Sequence, residues 1–332
     1  MALKPRVVVV GIGSIGRRHA RLLGGRGDLT VEWCEPSQEL LAGVAGEMPA
    51  PDRIHPDFDA MLATGPDMVV LATPHSLHAE QSIKALAAGA HVLCEKPMAD
   101  SPEAARRMAA AARKSGRVLD IGFQLHFHPG LRRLKELIET GMLGVIAHLH
   151  CRVGSYVTLV NSRTRYQQTL EGALMLDYAH QPDLLHWLLR AIPLGVYTAG
   201  VHLDRPELHS NPNVLSLTFD YEQPLLGTLH LNYLQAPERH EYEIVGDEGW
   251  AVLDLAALRL TIGRKADART WVESFEVSRD SLYLAEHQAF LDAVNGKAAP
   301  ESPPDEAMVA VRMVAAAFSS WKTKKRALLE SV

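Results

Sequence analysis

Short apolar runs alternate with longer amphipathic segments along the first third of the chain. Strands that are apolar on both sides are typical of a parallel sheet covered by helices on both faces. The alternation therefore predicts an α/β fold with a doubly wound parallel sheet. The predicted strands are residues 7–10, 31–34, 68–72, 91–94 and 118–123, and the predicted helices between them are residues 14–23, 77–88 and 101–114.

After residue 123 the pattern changes to longer helices and to strands in which apolar and polar residues alternate. Such alternation is typical of an open, mostly antiparallel sheet with one exposed face. We therefore predict two domains, residues 1–122 with the parallel sheet and residues 123–332 with a second α/β fold. In the second domain the predicted helices are residues 131–139, 173–189, 284–294 and 304–329, and the predicted strands are residues 145–153 and several within 195–262.

A glycine-rich turn, Gly11-Ile12-Gly13-Ser14-Ile15-Gly16, joins the first predicted strand to the first predicted helix. The first glycine permits a tight turn, the second lets the backbone approach a pyrophosphate, and the third lets the helix pack on its strand. The free N–H groups at the helix N-terminus then bind the phosphates. The turn in this context predicts a dinucleotide-binding domain.

Glu35 ends the second predicted strand about twenty residues after the glycines, where a carboxylate accepts hydrogen bonds from an adenosine ribose. No arginine occupies residues 36–38 to neutralise a 2′-phosphate. The sequence therefore favours NAD over NADP. Spacing alone leaves open that Glu35 is a solvated turn residue.

Composition permits two full domains, since 47% of the 332 residues are apolar. The formal net charge of −5 makes nucleic acid an unexpected partner. No apolar run approaches the roughly 18 residues of a membrane span, so no membrane association is expected. Cys34, Cys94 and Cys151 are scattered and odd in number, which indicates reduced thiols in the cytoplasm.

Four motifs together resemble those of a known family. They are the glycine turn, Ala-Thr-Pro-His-Ser-Leu-His at residues 72–78, His-Val-Leu-Cys-Glu-Lys-Pro at 91–97 and Asp-Tyr-Ala-His-Gln-Pro-Asp at 177–183. Their order and spacing resemble the Gfo/Idh/MocA family of oxidoreductases, which contains relatives of glucose-fructose oxidoreductase and inositol dehydrogenase.

The resemblance implies an N-terminal Rossmann domain and a C-terminal α/β domain whose sheet forms the interface of a homodimer or homotetramer. It also implies hydride transfer between NAD(P) and a secondary alcohol or ketone of a sugar, polyol or sugar derivative. The cofactor-binding residues that the motifs and the resemblance predict are Gly11, Ile12, Gly13, Ser14, Ile15, Gly16, Glu35, Ala72, Thr73, Pro74, His75, His78, Glu95, Lys96 and Gln124.

Lys96 follows a predicted parallel strand at its carboxyl end, the edge at which open α/β sheets bind ligands. Oxidation of a secondary alcohol needs positive charge where the alkoxide develops, and an ammonium group supplies it. Lys96 is therefore a candidate catalytic residue beside the nicotinamide. The alternative is a surface lysine paired with Glu95.

Asp177 and His180 are three residues apart, so on one helix they share a face. A carboxylate beside an imidazole fixes its tautomer, and His180 is then the candidate general base. The alternative is a histidine in the core. Many family members space the pair as D-x-x-x-H rather than D-x-x-H, and Pro182 is expected to bend the helix just past the pair.

Further polar residues are candidates for the substrate pocket. Gln124, His126 and His128 follow the last strand of the first domain, and a polar loop precedes Glu171. The predicted substrate-binding residues are Lys96, His126, Tyr156, Arg163, Tyr166, Asp177 and His180, with Arg165 as a second possible reader of a phosphate or carboxylate.

Three other functions are open. The pairs His126/His128 and His148/His150, with Asp177 and His180, could hold zinc in a metal-assisted lyase or hydrolase. No helical H-x-x-x-H and no cysteine ligand supports that site, so we predict no metal. A non-catalytic NAD-binding sensor or subunit and an NAD-using glycosidase are the remaining alternatives.

Overall fold

The computed structural model describes residues 4–44, 46–160, 167, 170–205 and 210–331. Contacts between residues divide the chain into two compact units. Unit 1 contains residues 1–124 and 278–311, and unit 2 contains residues 125–277 and 312–332. Residues 278–311 thus group with unit 1, although the sequence-based division placed them in the second domain.

Unit 1 contains a six-stranded parallel sheet with the order β3-β2-β1-β4-β5-β6. This is the doubly wound order. Strands β1 to β3 are added towards one edge of the sheet and β4 to β6 towards the other, so the order switches between β1 and β4. The predicted parallel sheet is confirmed. Its strands are β1 (Arg6–Val10), β2 (Thr30–Cys34), β3 (Arg53–His55), β4 (Met68–Leu71), β5 (His91–Glu95) and β6 (Leu119–Gly122).

Unit 2 contains a nine-stranded sheet with the order β14-β13-β12-β11-β7-β10-β9-β8-β15. All neighbours pair antiparallel except β7 and β10, which are parallel. The predicted mostly antiparallel sheet is confirmed. Its strands are β7 (Ile146–Gly154), β8 (Gly195–Val201), β9 (Val214–Asp220), β10 (Leu226–Asn232), β11 (Arg239–Gly246), β12 (Gly249–Asp254), β13 (Arg259–Arg264), β14 (Arg269–Ser274) and β15 (Ala327–Leu328).

Capping residues mark both ends of the helix Pro102–Ser115. Ser101 caps the fifth helix by accepting a hydrogen bond from Ala104 N–H, and Gly116 ends it in the left-handed conformation, with φ 66°. The helices are α1 (Ser14–Gly24), α2 (Gln38–Ala42), α3 (Phe58–Leu62), α4 (His75–Ala87), α5 (Pro102–Ser115), α6 (Pro129–Glu139), α7 (Tyr156–Val160), α8 (Ala173–Asp177), α9 (His180–Leu189), α10 (Arg279–Val294) and α11 (Pro304–Thr323).

The parallel sheet has an apolar core on each face, because successive strand residues point to opposite sides. Val8 and Val10 of β1 lie in one core, and Val7 and Val9 lie in the other. Phe290 and Leu291 of α10 belong to the second core. Burial of this α10 face explains why residues 278–311 group with unit 1.

The single helix expected over residues 173–189 is two helices, α8 and α9, separated at residues 178–179. The proline ring of Pro182 would clash with the carbonyl of Tyr178, four residues earlier, if one helix ran through. Pro182 instead lies in the first turn of α9, where no intrahelical N–H is needed. The bend therefore precedes Pro182, and the expectation that it would follow the Asp177/His180 pair is wrong.

Within the described part of the chain, no helix combines the length and the apolar character that crossing a bilayer requires.

Candidate functional site

The glycine turn of unit 1 is closely packed at its first and third glycines. Gly11 has φ +85°, and a Cβ there would lie 2.9 Å from the carbonyl oxygen of Ala72. A Cβ at Gly16 would lie 1.7 Å from the carbonyl oxygen of Gly11. Both positions therefore require glycine, the first for backbone conformation and the third for the approach of α1 to β1.

Gly13 differs, because a Cβ there would meet no atom within 4 Å. It is the N-cap of α1, and no side chain caps that helix end. The first turn of α1 thus presents backbone N–H groups and the positive end of its dipole beside open space. This arrangement fits the pyrophosphate of a dinucleotide.

Glu35 is buried, with 5% of its surface exposed. Its Oε2 accepts a hydrogen bond from Ile12 N–H at 2.8 Å, and its Oε1 accepts one from Ser37 N–H at 2.9 Å. The carboxylate therefore fixes the glycine turn against the end of β2. Glu35 is not the solvated turn residue that its spacing left open.

The loop after β4 lies next to the glycine turn, because Ala72 N–H donates to the carbonyl of Val10 at 2.9 Å. Thr73 Oγ1 donates to Gln81 at 2.6 Å. Pro74 is exposed, whereas Ala72, Thr73 and His75 are partly buried. These residues are therefore accessible at the carboxyl edge of the sheet.

His78 is only 1% exposed. Its Nδ1 lies 2.8 Å from the carbonyl oxygen of Pro97, and its Nε2 lies 2.9 Å from that of Thr73. Burial lowers the pKa of the imidazole. The ring of His78 thus connects the loop after β4 to the loop after β5.

Glu95 and Lys96 end β5 in different surroundings. Glu95 is 7% exposed, and its Oε1 lies 2.9 Å from Nε2 of His19 in α1. Its Oε2 accepts a hydrogen bond from the backbone N–H of Lys96 at 3.2 Å. Lys96 itself is partly buried. Glu95 is therefore a buried carboxyl group, whereas the side chain that follows it is partly accessible.

Gln124 ends the first segment of unit 1 and is 9% exposed. Its Oε1 is buried and accepts no hydrogen bond from the described residues. A buried amide oxygen of this kind has the capacity to accept a hydrogen bond from a ligand.

In unit 2, Asp177 ends α8 and His180 begins α9. The carboxylate of Asp177 accepts hydrogen bonds from Tyr233 Oη and, at 3.0 Å, from Gln167 Nε2. Tyr233 is fully buried, and His180 is 8% exposed. Because the chain turns between α8 and α9, the two residues do not share the face of one helix.

His126 is buried in a pair with a carboxylate. Its Nε2 lies 2.7 Å from Oδ2 of Asp183, and its ring stacks on Trp187 with centroids 4.6 Å apart. His128 accepts a hydrogen bond from Gly130 N–H and caps α6, and burial lowers the pKa of its imidazole to about 4.

The histidines of the proposed zinc site have other partners. His148 Nε2 and His150 Nδ1 both lie within hydrogen-bonding distance of Thr228 Oγ1, at 2.9 and 2.8 Å. Among the described residues, the one group of three potential metal ligands is His19, Glu95 and Glu286. The histidine pairs named in the lyase hypothesis are not part of it.

Tyr156 begins α7, and its N–H donates to the carbonyl of Gln235 at 2.9 Å. The other candidates of this loop, Arg163, Arg165 and Tyr166, lie outside the described residues.

Comparison with known proteins identifies the family. The model described as "Oxidoreductase family, NAD-binding Rossmann fold" matches residues 5–123, and the "GFO/IDH/MocA C-terminal domain" model matches residues 131–252. The chain belongs to the Gfo/Idh/MocA family. The resemblance carried by the four motifs is thus confirmed, and unit 1 carries the NAD-binding Rossmann domain of this family.

Curated relatives of this Gfo/Idh/MocA protein match over most of both chains. The D-glucoside 3-dehydrogenase of Escherichia coli (strain K12) is 27% identical, over 97% of this chain and 96% of that protein. An inositol 2-dehydrogenase of Pseudomonas fluorescens (strain SBW25) is 28% identical, over 86% and 85% of the two chains.

Solved structures share the same fold. An oxidoreductase from Agrobacterium radiobacter, crystallised with NAD+, L-tartaric acid and magnesium, superposes with a TM-score of 0.87. The alignment covers 99% of each chain at 17% identity.

Some residues of this Gfo/Idh/MocA chain that contact candidate site residues did not emerge from the sequence, among them His19, Gln167 and Tyr233. His19 lies three residues after Gly16, so one turn of α1 places it near the third glycine. This spacing could have indicated His19 from the sequence. Gln167 and Tyr233 are 10 and 56 residues from Asp177 in the chain, and no local pattern indicates them.

Gly13→Ala tests the cofactor site without disturbing the fold. We expect the free energy of unfolding to fall by only about 1 kcal/mol, the cost of alanine in place of glycine at an N-cap, since the new methyl group itself meets no atom. NAD affinity should fall about 5- to 150-fold, because forcing a methyl group into a filled space costs about 1–3 kcal/mol. Calorimetric titration with NAD measures the change.

Gly27→Ala is the matched control, because a Cβ at Gly27 also meets no atom within 4 Å. It should leave NAD affinity unchanged. Wild-type affinity in Gly13→Ala would contradict the assignment of the pyrophosphate to this turn.

Proposed function

We propose that the protein is an NAD-dependent dehydrogenase that transfers a hydride between nicotinamide and a secondary alcohol or ketone of a sugar, polyol or sugar derivative. The observation that carries this proposal is the nearly full-length match to a glucoside 3-dehydrogenase and an inositol 2-dehydrogenase. The presence of Lys96, Asp177 and His180 in the family motifs supports catalysis rather than cofactor binding alone.

Three side chains carry the chemistry in the oxidative direction. Bound NAD supplies the hydride acceptor. His180 takes the proton of the substrate hydroxyl as general base, and Asp177 orients the imidazole. Lys96 stabilises the negative charge that develops on the substrate oxygen. Hydrogen bonds from Tyr233 and Gln167 fix the carboxylate of Asp177.

NAD is the proposed coenzyme in preference to NADP. The carboxylate of Glu35 lies at the end of β2 and accepts a hydrogen bond from the backbone N–H of Ile12 in the glycine turn. A buried negative charge there favours ribose hydroxyls over a 2′-phosphate, which it repels. Clearly tighter binding of NADP than of NAD would refute this preference.

We also propose that the sheet of unit 2 forms a homodimer or homotetramer interface. A row of aligned residues across four neighbouring strands supports this, since Leu226, His148, Val245 and Trp250 are paired in register. The three apolar members are 37% to 48% exposed. Exposed apolar surface of this kind is typical of an interaction site.

The cytoplasm is the proposed location. Cys34, Cys94 and Cys151 are all buried free thiols. Reduced cysteines are expected in a reducing compartment.

Incubation of the purified protein with NAD and a panel of inositols, aldoses, sugar acids and nucleotide sugars tests the proposed function. We expect reduction of NAD, followed by its absorbance, with at least one compound. NAD binding without turnover on any compound would favour a sensor or binding subunit. Cleavage of a glycoside without net NAD reduction would favour a glycosidase.

A further inference from the structure

A buried polar cluster within unit 1 adjoins Lys96. It consists of His19 from α1, Glu95 from β5, and Glu286 and His287 from α10, with exposures of 0%, 7%, 3% and 1%. One side-chain nitrogen or oxygen from each of His19, Glu95 and Glu286 lies within 4.8 Å of the other two. Two carboxyl groups therefore share one water-poor site.

Three of the four members make at least one hydrogen bond, although Nδ1 of His287 has no partner among the described residues. His19 Nε2 lies 2.9 Å from Glu95 Oε1, and His19 Nδ1 lies 2.7 Å from His287 Nε2. With a proton on Nε2 of each ring, His287 donates to His19 and His19 donates to the Glu95 carboxylate. The second oxygen of Glu95 accepts the hydrogen bond from Lys96 N–H. Both carboxyl oxygens of Glu95 therefore have a hydrogen-bond partner.

Glu286 is the exception. Both of its carboxyl oxygens are buried, and neither has a hydrogen-bond partner among the described residues. A buried carboxylate ion without a partner is strongly disfavoured, whereas the neutral acid is far less costly to bury. A proton or a bound cation is therefore needed to neutralise Glu286.

The carboxyl groups that face Glu286 add negative charge to its surroundings, and His19 is the imidazole that lies beside it. Glu95 from β5 and Asp120 from β6 face it, together with Tyr283 on its own helix. Burial, and then these two carboxyl groups, raise the pKa of Glu286 well above its usual value. Burial also holds the pKa of His287 well below its usual value, so that imidazole is neutral and does not balance the charge.

We propose that Glu286 is a neutral carboxylic acid in the folded protein and that, as the uncharged partner of the Glu95 carboxylate, it is a positioning residue for Lys96. A second negative charge would repel Glu95 and compete with it for His19. Glu95 would then lose the geometry in which it accepts the hydrogen bond from Lys96 N–H. The kinetic part of this inference rests on the proposed function, whereas the protonation state does not.

The first test compares the wild type with Glu286→Gln, an uncharged mimic of the protonated acid, in denaturant unfolding between pH 5 and 9. The pKa of Glu286 is higher in the folded protein than the value of 4.5 in the unfolded chain. The contribution of Glu286 to the free energy of unfolding is therefore greatest below pH 4.5, and it decreases as the pH rises towards the folded-state pKa. The ratio of the wild-type equilibrium constant for unfolding to that of the variant should therefore rise by up to about tenfold per pH unit.

Glu103→Gln is the matched control, because Glu103 is an exposed residue of α5 and should show no such trend. The infrared spectrum of the wild type supplies a second readout that needs no variant. It should contain the C=O stretch of a buried carboxylic acid at pH 8. Absence of this band, or a stability difference that does not depend on pH, would overturn the proposal.

A divalent cation held by His19, Glu95 and Glu286 is the competing explanation. Elemental analysis of the purified wild type distinguishes the two, since one bound metal ion per chain that is lost in Glu286→Gln would overturn the proposed proton. We expect no stoichiometric metal in either protein.

The kinetic test uses Glu286→Gln and Glu286→Leu with a compound that the substrate panel identifies. The Gln variant should keep wild-type kcat at pH 7 and keep it at alkaline pH, where the wild type loses activity. The Leu variant should lose about tenfold or more in kcat with unchanged KM for NAD, since displacement of a reacting group by about 1 Å costs up to about 10² in rate. Wild-type kcat in Glu286→Leu at every pH would overturn the positioning role.

If no compound in the panel is oxidised, the proposed function fails, but the unfolding and infrared measurements still decide whether Glu286 carries a proton.

Discussion

Lys96→Ala should lower kcat by about 10²- to 10³-fold, the loss typical of removing one stabilising group at a developing oxyanion. NAD affinity should change by less than about threefold, because an interaction made mainly in the transition state contributes little to ground-state binding. Rapid-mixing kinetics with a substrate from the panel and titration with NAD measure the two quantities separately.

Lys96→Met keeps most of the length of the side chain and removes its charge, so it should match Lys96→Ala if the ammonium group is responsible. Lys84→Ala is the control within unit 1. Lys84 lies on α4, pairs with Asp59 at 2.7 Å and has a half-exposed side chain. It should leave kcat unchanged. Near-normal turnover in both Lys96 variants would remove Lys96 from the mechanism.

The glycine turn was predictable because its constraints are local. The tight turn at Gly11 and the close approach at Gly16 follow from the strand–turn–helix order alone, and the lack of room for a Cβ at either position agrees with it. The apolar runs of β1, β4 and β5 predicted a sheet covered on both faces for the same reason, since each residue of the run faces one of two cores.

The surroundings of the candidate catalytic residues were not predictable in this way. Glu95 contacts His19 at 2.9 Å, and His19 contacts His287, 268 residues away in the chain. Asp177 accepts a hydrogen bond from Tyr233. It does not lie on the same helix as His180. Such contacts depend on how α1, α10 and the end of β10 pack, which hydrophobic periodicity does not specify.

The break between α8 and α9 follows from a local property of proline. Pro182 was expected to bend one helix just past the Asp177/His180 pair. A proline ring acts on the turn before it, because it clashes with the carbonyl four residues earlier, and here that carbonyl belongs to Tyr178. This property places the break at residues 178–179, where the structure has it. His180 then lies at the start of α9 rather than in mid-helix.

His180→Ala should lower kcat for alcohol oxidation by about 10²- to 10⁴-fold, the range for loss of a general base. Affinity for NAD should remain close to that of the wild type. The pH dependence supplies a more specific readout. If His180 is the base, the wild type should lose rate in acid, because a protonated imidazole cannot accept the hydroxyl proton, whereas the variant should gain rate with hydroxide concentration instead.

His186→Ala is the matched control, because His186 lies on the same helix and is also 8% exposed. Its Nδ1 lies 3.1 Å from the carbonyl oxygen of Ala191, at the end of α9. It should change stability without changing the form of the pH profile. If His180→Ala and His186→Ala have equal effects on kcat and similar pH profiles, His180 supports α9 structurally and another group is the base.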